Sequence, residues 1–390
     1  MALTIEAKIT RHAKINNDLI LRVTRREVSN PEDHALIITK APSPNQASDR
    51  YAAIIQAVTD DAVIKHPITI KLSSRKILDL ADGDIIRVPA QGNFIDVVFR
   101  VNSTNNALFV TNRCNSKCIL CPQKPMKNDP PDNVRMIIKQ IDLTDKSVKW
   151  LGITGGEPTV LKEDLVRIIA KCKDTLPNTN ILLLSNGMAF SDFAFCKQIA
   201  EVKPRVLIVA ITLYSDYPKD HDFITGVKNS FFRTSEGIYK LNHVGIPVEI
   251  RIVIHRHNFD RLSKIARYIY MNFPFAFHIA FMGLEITGYA ADNLNEVWIE
   301  PPRFQEELKM AVNYLRKRNR MVSIYNLPLC MIAPEIRGLA RQSISDYKKV
   351  YHEICENCIL KSKCSGFFSS CIGLYSPHIK PILKTTCLTF

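Results

Sequence analysis

Apolar residues recur along this chain in two rhythms, and the change of rhythm falls near residue 100. Up to that point short β-rich runs, such as Leu19-Ile-Leu-Arg-Val23 and Ile85-Ile-Arg-Val88, alternate with turn signals that include Asp82-Gly83 and Gln91-Gly92. They predict a small β-rich or α+β accessory domain with nothing catalytic in it. From Ala107 onward, apolar runs of strand length alternate with helix-length amphipathic segments, as repeated βα units around a parallel sheet require. Strands are predicted at 107–111, 150–154, 181–185, 206–213, 248–254 and 276–282, with helices at 161–173, 191–201, 231–244 and 259–272. Six such units suit a partial barrel. In parallel α/β folds ligands sit at the carboxyl ends of strands, where loops and helix N-termini converge.

Composition narrows this little. At 390 residues, with 46% hydrophobic and 23% charged residues, the chain reads as one large α/β domain with smaller flanking pieces. Its start lacks the basic stretch and apolar run of a secretory signal, which predicts a cytoplasmic protein. The most apolar later stretch, 273–290, is broken by His278 and Glu285 and suits a buried strand and loop better than a membrane span, so no transmembrane helix is expected. A formal charge of +14 would draw anionic partners without choosing among them. The run Arg316-Lys-Arg-Asn-Arg320 closes a predicted helix, where cations complement the helix dipole.

Cysteine usage says more. Eleven cysteines in a chain without a secretory signal favour metal or cluster ligation over a disulfide framework. Seven fall into two groups, Cys114/Cys118/Cys121 and Cys355/Cys358/Cys364/Cys371; Cys172, Cys196, Cys330 and Cys387 are scattered.

Cys114-Asn-Ser-Lys-Cys118-Ile-Leu-Cys121 follows the first strand of the βα region, with a spacing that lets three thiolates reach one inorganic cluster. Three ligands on a four-iron cluster leave one iron open to substrate, whereas a structural site is normally filled by protein. A zinc site completed by a distant histidine is the competing reading. Gly155-Gly156-Glu157-Pro158 follows the second strand and Ser185-Asn186-Gly187 the third. Adjacent glycines allow close ligand approach, and a carboxylate accepts hydrogen bonds from an ammonium group. His221-Asp222 reads as a polar pair at a helix entrance, and His255 and His257 as solvated. Glu285, after the sixth strand, would face the barrel mouth as a substrate or acid-base residue.

Together, the C-x3-C-x2-C loop and the GGEP turn resemble the signature of radical S-adenosylmethionine (radical SAM) enzymes. The resemblance implies a partial (β/α)6 TIM-like barrel whose [4Fe-4S] cluster, on Cys114, Cys118 and Cys121, binds SAM and cleaves it reductively to a 5′-deoxyadenosyl radical. It further implies that Gly155, Gly156, Glu157 and Pro158 line the SAM methionyl group, with Ser185, Asn186 and Arg251 as ribose or carboxylate contacts. Leu120 stands where the family often has an aromatic residue. Cys355-x2-Cys358-x5-Cys364 is similar to the core of the auxiliary-cluster (SPASM/twitch-like) regions of peptide-modifying members, implying a second iron-sulfur cluster with Cys330 or, in competition, Cys371 as fourth ligand. A structural zinc knot on the same cysteines is the alternative.

The stretches Phe109-Val-Thr-Asn-Arg-Cys-Asn-Ser116, Leu151-Gly-Ile-Thr-Gly-Gly-Glu-Pro158, His278-Ile-Ala-Phe-Met-Gly-Leu-Glu-Ile-Thr-Gly-Tyr-Ala290 and Ser343-Ile-Ser-Asp-Tyr347 are similar to one group, the C-type radical SAM maturases of the His-Xaa-Ser system. That likeness implies a partner polypeptide with His-Xaa-Ser repeats, a second radical SAM maturase, and an electron donor such as flavodoxin or ferredoxin. The expected organisation is an accessory domain at 1–100, a radical SAM core at 101–300 and an auxiliary-cluster region at 301–390. Two other readings stand beside it: an RNA-modifying radical SAM enzyme, motivated by the charge, and a non-catalytic metal-bound regulator that binds nucleic acid.

Overall fold

In a computed structural model, residues 3–11, 17–38, 50–57 and 66–383 are described; Cys387 lies outside them. The first rhythm yields eight strands: β1 (Leu3–Glu6), β2 (Lys8–Arg11), β3 (Leu19–Thr24), β4 (His34–Ile38), β5 (Ala53–Ala57), β6 (Ile68–Leu72), β7 (Ile85–Val88) and β8 (Phe94–Phe99). Their order is β1-β8-β7-β3-β4-β5-β6-β2. Only Ala7 separates β1 from β2, yet these strands occupy the two ends of that order, so one bent run closes the sheet on itself. Alternation then decides the interior. Ile5, Ala7 and Ile9 point inward with Leu21, Val23, Ile55, Ile70 and Ile86, each large apolar side chain contributing about 1.5–3 kcal/mol on burial. The short helix α1 (Ser74–Leu78) is capped by the Ser73 hydroxyl.

The second rhythm yields seven parallel strands: β9 (Ala107–Phe109), β10 (Trp150–Thr154), β11 (Asn180–Ser185), β12 (Leu207–Thr212), β13 (Val248–Val253), β14 (His278–Met282) and β15 (Val322–Tyr325). They lie in chain order across the sheet. Helices α2 (Asn133–Leu143), α3 (Glu163–Thr175), α4 (Phe193–Val202), α5 (Pro218–Thr225), α6 (Ser230–His243) and α7 (Leu262–Asn272) fill the connections between β9 and β14. Leu108, Leu151, Ile153, Leu183, Val209, Ile250, Phe281 and Ile324 face the helices and form one core. The neighbouring positions, Thr154, Thr212, Glu249, Arg251, His278 and Ser323, alternate with them and so face the other way. This is the expected partial barrel, extended by a strand that was not expected. β15 is only four residues long, Val-Ser-Ile-Tyr, and follows the charged run that ends α10 (Gln305–Arg316).

Two short helices, α8 (Gly288–Asp292) and α9 (Leu294–Val297), precede α10. After β15 the chain runs mostly through 3₁₀ turns, and among the described residues its one ladder pairs β16 (Lys349–Val350) with β17 (Phe367–Phe368). The closed barrel rests on α2 through Ile20, Ile85, Phe99 and Met136, where Gln140 Nε2 donates to the Val98 carbonyl (3.0 Å). Among the described residues no helix is long and apolar enough to cross a membrane.

Candidate active site

The cysteine loop begins where β9 ends, and Asp129 folds it. Its carboxylate accepts from the Thr111 hydroxyl (2.8 Å), the Asn112 N–H (2.6 Å) and Arg113 Nε (2.9 Å). Farther along, the Lys117 and Ile119 N–H groups donate to the carbonyls of Thr225 and Ile224 at the end of α5, both at 3.0 Å. From the C-terminal side, the Tyr289 N–H donates to the Cys121 carbonyl (2.9 Å) and Asn293 Nδ2 to that of Ile119 (2.8 Å). Gly288 permits this approach, since it has φ +57° and a Cβ there would lie 2.6 Å from the Pro122 carbonyl carbon.

The two glycines of the GGEP turn answer to the same crowding. A Cβ on Gly155 would stand 2.4 Å from the Thr111 carbonyl oxygen, and one on Gly156 2.2 Å from that of Arg113. The Gly156 and Glu157 N–H groups donate to these two carbonyls at 2.7 and 2.8 Å. Their first service is therefore to dock the end of β10 on the cysteine loop, where sequence reasoning expected open backbone for a ligand. Pro158 is buried and opens a 3₁₀ turn.

Glu157 is buried. Its Oε1 accepts from the Thr159 N–H and hydroxyl and from the Ser185 hydroxyl (2.7 Å), its Oε2 from the Asn186 N–H (2.6 Å). Burial pushes its carboxyl up against the pull of these four donors. A carboxylate oxygen accepts about two hydrogen bonds, so Oε2 keeps capacity for another donor. Asn186 also reaches the cysteine loop, with Nδ2 donating to Asn115 Oδ1 (2.7 Å). Residues from the ends of β10 and β11 thus form one array with the loop.

The three thiols lie within electrostatic range of one another, and Cys114 within range of Glu157. Burial pushes Cys114 up to about 11 and Cys118 to about 12, and raises Cys121 as well. The Ser116 N–H points at Cys114 Sγ (3.4 Å), and the half-buried Tyr214 side chain hydrogen-bonds Cys118. Ligation needs thiolates, so a cluster entering here displaces protons. Among the described residues no three His, Cys, Asp or Glu side chains are gathered tightly enough to grip a single ion. What fits a four-iron cluster is the donor set itself, three thiols within range of one another with a backbone N–H directed at one sulfur and, among the described residues, no further protein ligand among their charged neighbours but Glu157. Leu120 is buried with Ile224, Leu284 and Val297.

Arg251 does not join this array. Its Nε donates to Glu249 Oε1 (2.5 Å), and Glu249 Oε2 meets His278 Nδ1 at 2.8 Å. Although burial pushes the Glu249 carboxyl up, His278 and Arg251 hold it below the usual range. Glu285 lies past the end of β14 in an ion pair with Lys348 (2.8 Å).

In the C-terminal segment the structure gathers Cys330 with Cys355, Cys358 and Cys364. Cys330 is in electrostatic range of Cys364 and Cys355, and Cys364 of Cys358. Burial pushes Cys330 up to about 11. Backbone N–H groups point at these sulfurs, from Leu329 and Gly366 to Cys364 (3.3 and 3.4 Å) and from Ile382 to Cys358 (3.4 Å). Arg337, half-buried, sits beside Cys330 and Cys358. Cys371 instead has Glu285 as its charged neighbour.

Of the histidines, His221 is buried within α5, and Asp222 accepts from the Asn229 and Phe231 N–H groups at the start of α6 (2.6 and 2.9 Å). His255 corrects its reading as a solvated residue. Only 1% of it is exposed, because Asn258 closes the turn after β13 by accepting from the His255 N–H (2.9 Å) and donating to the Tyr214 and Val253 carbonyls. His257 is half-buried.

Residues 108–269, from β9 into α7, match the model of the Radical SAM superfamily. This segment is a radical SAM domain. Radical SAM enzymes use a [4Fe-4S] cluster and SAM, and the domain here carries the three-cysteine loop, the GGEP turn and Ser185-Asn186. An uncharacterized protein of Methanocaldococcus jannaschii, MJ0907, is 28% identical over 169 residues, covering 42% of this chain and 57% of its own length. The GTP 3′,8-cyclase of Helicobacter pylori is 29% identical over 167 residues, covering 41% and 50%. The chain thus spans about half the length of these curated relatives. Streptococcus suis SuiB bound to its precursor peptide SuiA has a TM-score of 0.44 at 17% identity, over 56% of this chain and 47% of that one.

Proposed function

We propose that this chain is a radical SAM enzyme that modifies a partner polypeptide. The observation that carries the reading is the gathering of Cys330, Cys355, Cys358 and Cys364 on the same chain as the three-cysteine loop, one sulfur set for SAM and one for an auxiliary cluster. The similarity to C-type His-Xaa-Ser maturases supplies the finer reading: the partner carries His-Xaa-Ser repeats and a second radical SAM maturase acts beside this one in the cytoplasm. On this reading 1–100 is an accessory unit, 101–300 the catalytic core and 301–390 the carrier of the second cluster.

Cys114, Cys118 and Cys121 would hold the cluster, which when bound would supply the one-electron reduction of SAM to methionine and a hydrogen-abstracting 5′-deoxyadenosyl radical, with flavodoxin or ferredoxin as electron source. The chain's own residues orient this chemistry. Glu157 accepts from the methionyl ammonium with its remaining capacity, Ser185 and Asn186 hold Glu157 in place, and Arg251 pairs with an anionic group in the half-barrel. Glu285, paired with Lys348, moves a proton at the mouth. Anaerobic reconstitution followed by SAM, reductant and a His-Xaa-Ser peptide should give 5′-deoxyadenosine and a peptide of altered mass; a full cluster with neither product counts against the reading.

The charge of +14 favours a second reading, an RNA-modifying radical SAM enzyme. Turnover of RNA with salt-sensitive binding, and none of peptide, would select it.

A further inference from the structure

β9 is hydrogen-bonded on one side. Gly152 donates its N–H to the Asn106 carbonyl (2.9 Å) and Val110 its own to that of Thr154 (2.8 Å), which assigns the even positions to β10. Because backbone groups alternate in direction along a strand, Ala107 and Phe109 turn their N–H and C=O groups the other way. Among the described residues no strand pairs with them there. The opposite margin of the sheet is covered, since Ile324 of β15 is bridged to Ala340 and its carbonyl accepts the Arg341 N–H (2.9 Å).

The bare margin borders a cavity of about 780 Å³, within the ~300–1,000 Å³ usual for ligand sites. One wall is β9, another the outer face of the closed barrel at Thr4, Asp96 and Val98, and a third the α2 residues Asn133, Met136 and Gln140. Most of its formal charges are matched: Asp96 pairs with Arg87 (2.6 Å), Asp129 with Arg113 (2.9 Å) and Lys348 with Glu285 (2.8 Å), while Arg100 donates to the Asp79 carbonyl (3.2 Å). Amides and hydroxyls share the rest with apolar side chains such as Ile20, Phe99 and Met126. At its inner end stand Gln123, two residues past Cys121, and Thr154, next to Gly155.

We infer that this cavity is the docking channel for the substrate polypeptide, which adds to the edge of β9 as an extended, uncharged polar strand and is led by it to the cysteine loop. The inference deepens the peptide-modifying reading and rests on it. Ladder bonds to Ala107 and Phe109 would supply affinity with little sequence demand, and walls whose charges are mostly paired fit neither a phosphate backbone nor a charged helix. Strand spacing of about 3.3 Å per residue makes Ala107–Phe109 a guide of roughly 10 Å.

Two measurements test it with a synthetic twelve-residue peptide of His-Ala-Ser repeats and a twelve-residue Ser/Asn/Thr peptide as probes. Amide hydrogen exchange should show the Ala107 and Phe109 N–H groups gaining protection when either binds. Phe109→Pro removes the ring and the N–H, which no ladder bond uses, while Phe109→Ala removes the ring alone. The proline variant, with iron content checked, should bind at least roughly tenfold more weakly than the alanine one, about what losing one such bond costs. If the proline variant does not fold, the exchange experiment on the unaltered protein decides. Binding with protection elsewhere overturns the channel and leaves the peptide reading standing. No binding of either probe, with SAM still cleaved, overturns the channel. Protection that rises with protein concentration alone assigns the margin to a second copy and overturns it too. Loss of both peptide binding and SAM cleavage removes the peptide reading and the channel with it.

Discussion

The two sulfur sets of this chain are held in different ways. The loop carrying Cys114, Cys118 and Cys121 is fixed from three directions: by Asp129 from within, by β10 through Gly155 and Gly156, and by the segments around α5 and α8. Cys330, Cys355, Cys358 and Cys364 sit among 3₁₀ turns braced by a ladder of two residues per strand. A site built on regular elements is shaped before its metal arrives, whereas one built on turns draws much of its order from the metal. The first set is a socket; the second is closer to a clasp that the metal shuts.

The largest effects should separate them. Replacing Cys114, Cys118 and Cys121 together by alanine should abolish 5′-deoxyadenosine formation and leave the thermal midpoint within a few degrees of the parent; a collapse of the fold would erase the distinction. Stripping metal with a chelator should leave the strands β10 to β14 protected from amide exchange while 349–383 exchanges as open chain, since structural metals can contribute on the order of 10 kcal/mol to small sites. Within the second set, Cys330→Ala should remove the auxiliary iron and Cys371→Ala should not, as iron analysis and absorbance would report; the reverse result would exchange their roles.

Gly156→Ala tests the socket. The added methyl meets the Arg113 carbonyl, so stability should fall by about 1–3 kcal/mol in urea unfolding, with SAM cleavage reduced more than peptide binding. The last effect concerns pH. Burial holds His221 down to about 4 and His255 to about 3, below the ordinary value near 6.5. Between pH 6.5 and about 4 the unfolded chain takes up protons that the native state refuses. Stability should therefore fall as pH drops through that window, by up to about 1.4 kcal/mol per unit for each histidine. His255→Gln should flatten the slope, and a slope unchanged by it would place the acid sensitivity elsewhere.

What could be read from the chain follows the same divide. The cysteine loop, the GGEP turn and Ser185-Asn186 are contiguous motifs at strand ends, and β10 runs from Trp150 to Thr154 as its alternation requires. Residues that act across the fold were not legible. Asp129 precedes two prolines and reads as a turn, Tyr214 as another aromatic after a strand, and Arg337 as one cation among many. Each acquires meaning only when the fold brings it to a sulfur or to the loop that carries one. β15 escaped because four residues with a serine among them make too short a pattern, and His255 because burial by a distant turn leaves no local mark.

The closure of the amino-terminal sheet has a consequence of its own. Since β1 and β2 are two halves of a single nine-residue run, one peptide bond at Ala7 holds both seams of the barrel. A protease cut there would free two raw margins at once, turning a surface that offers no purchase to neighbouring chains into one that invites them.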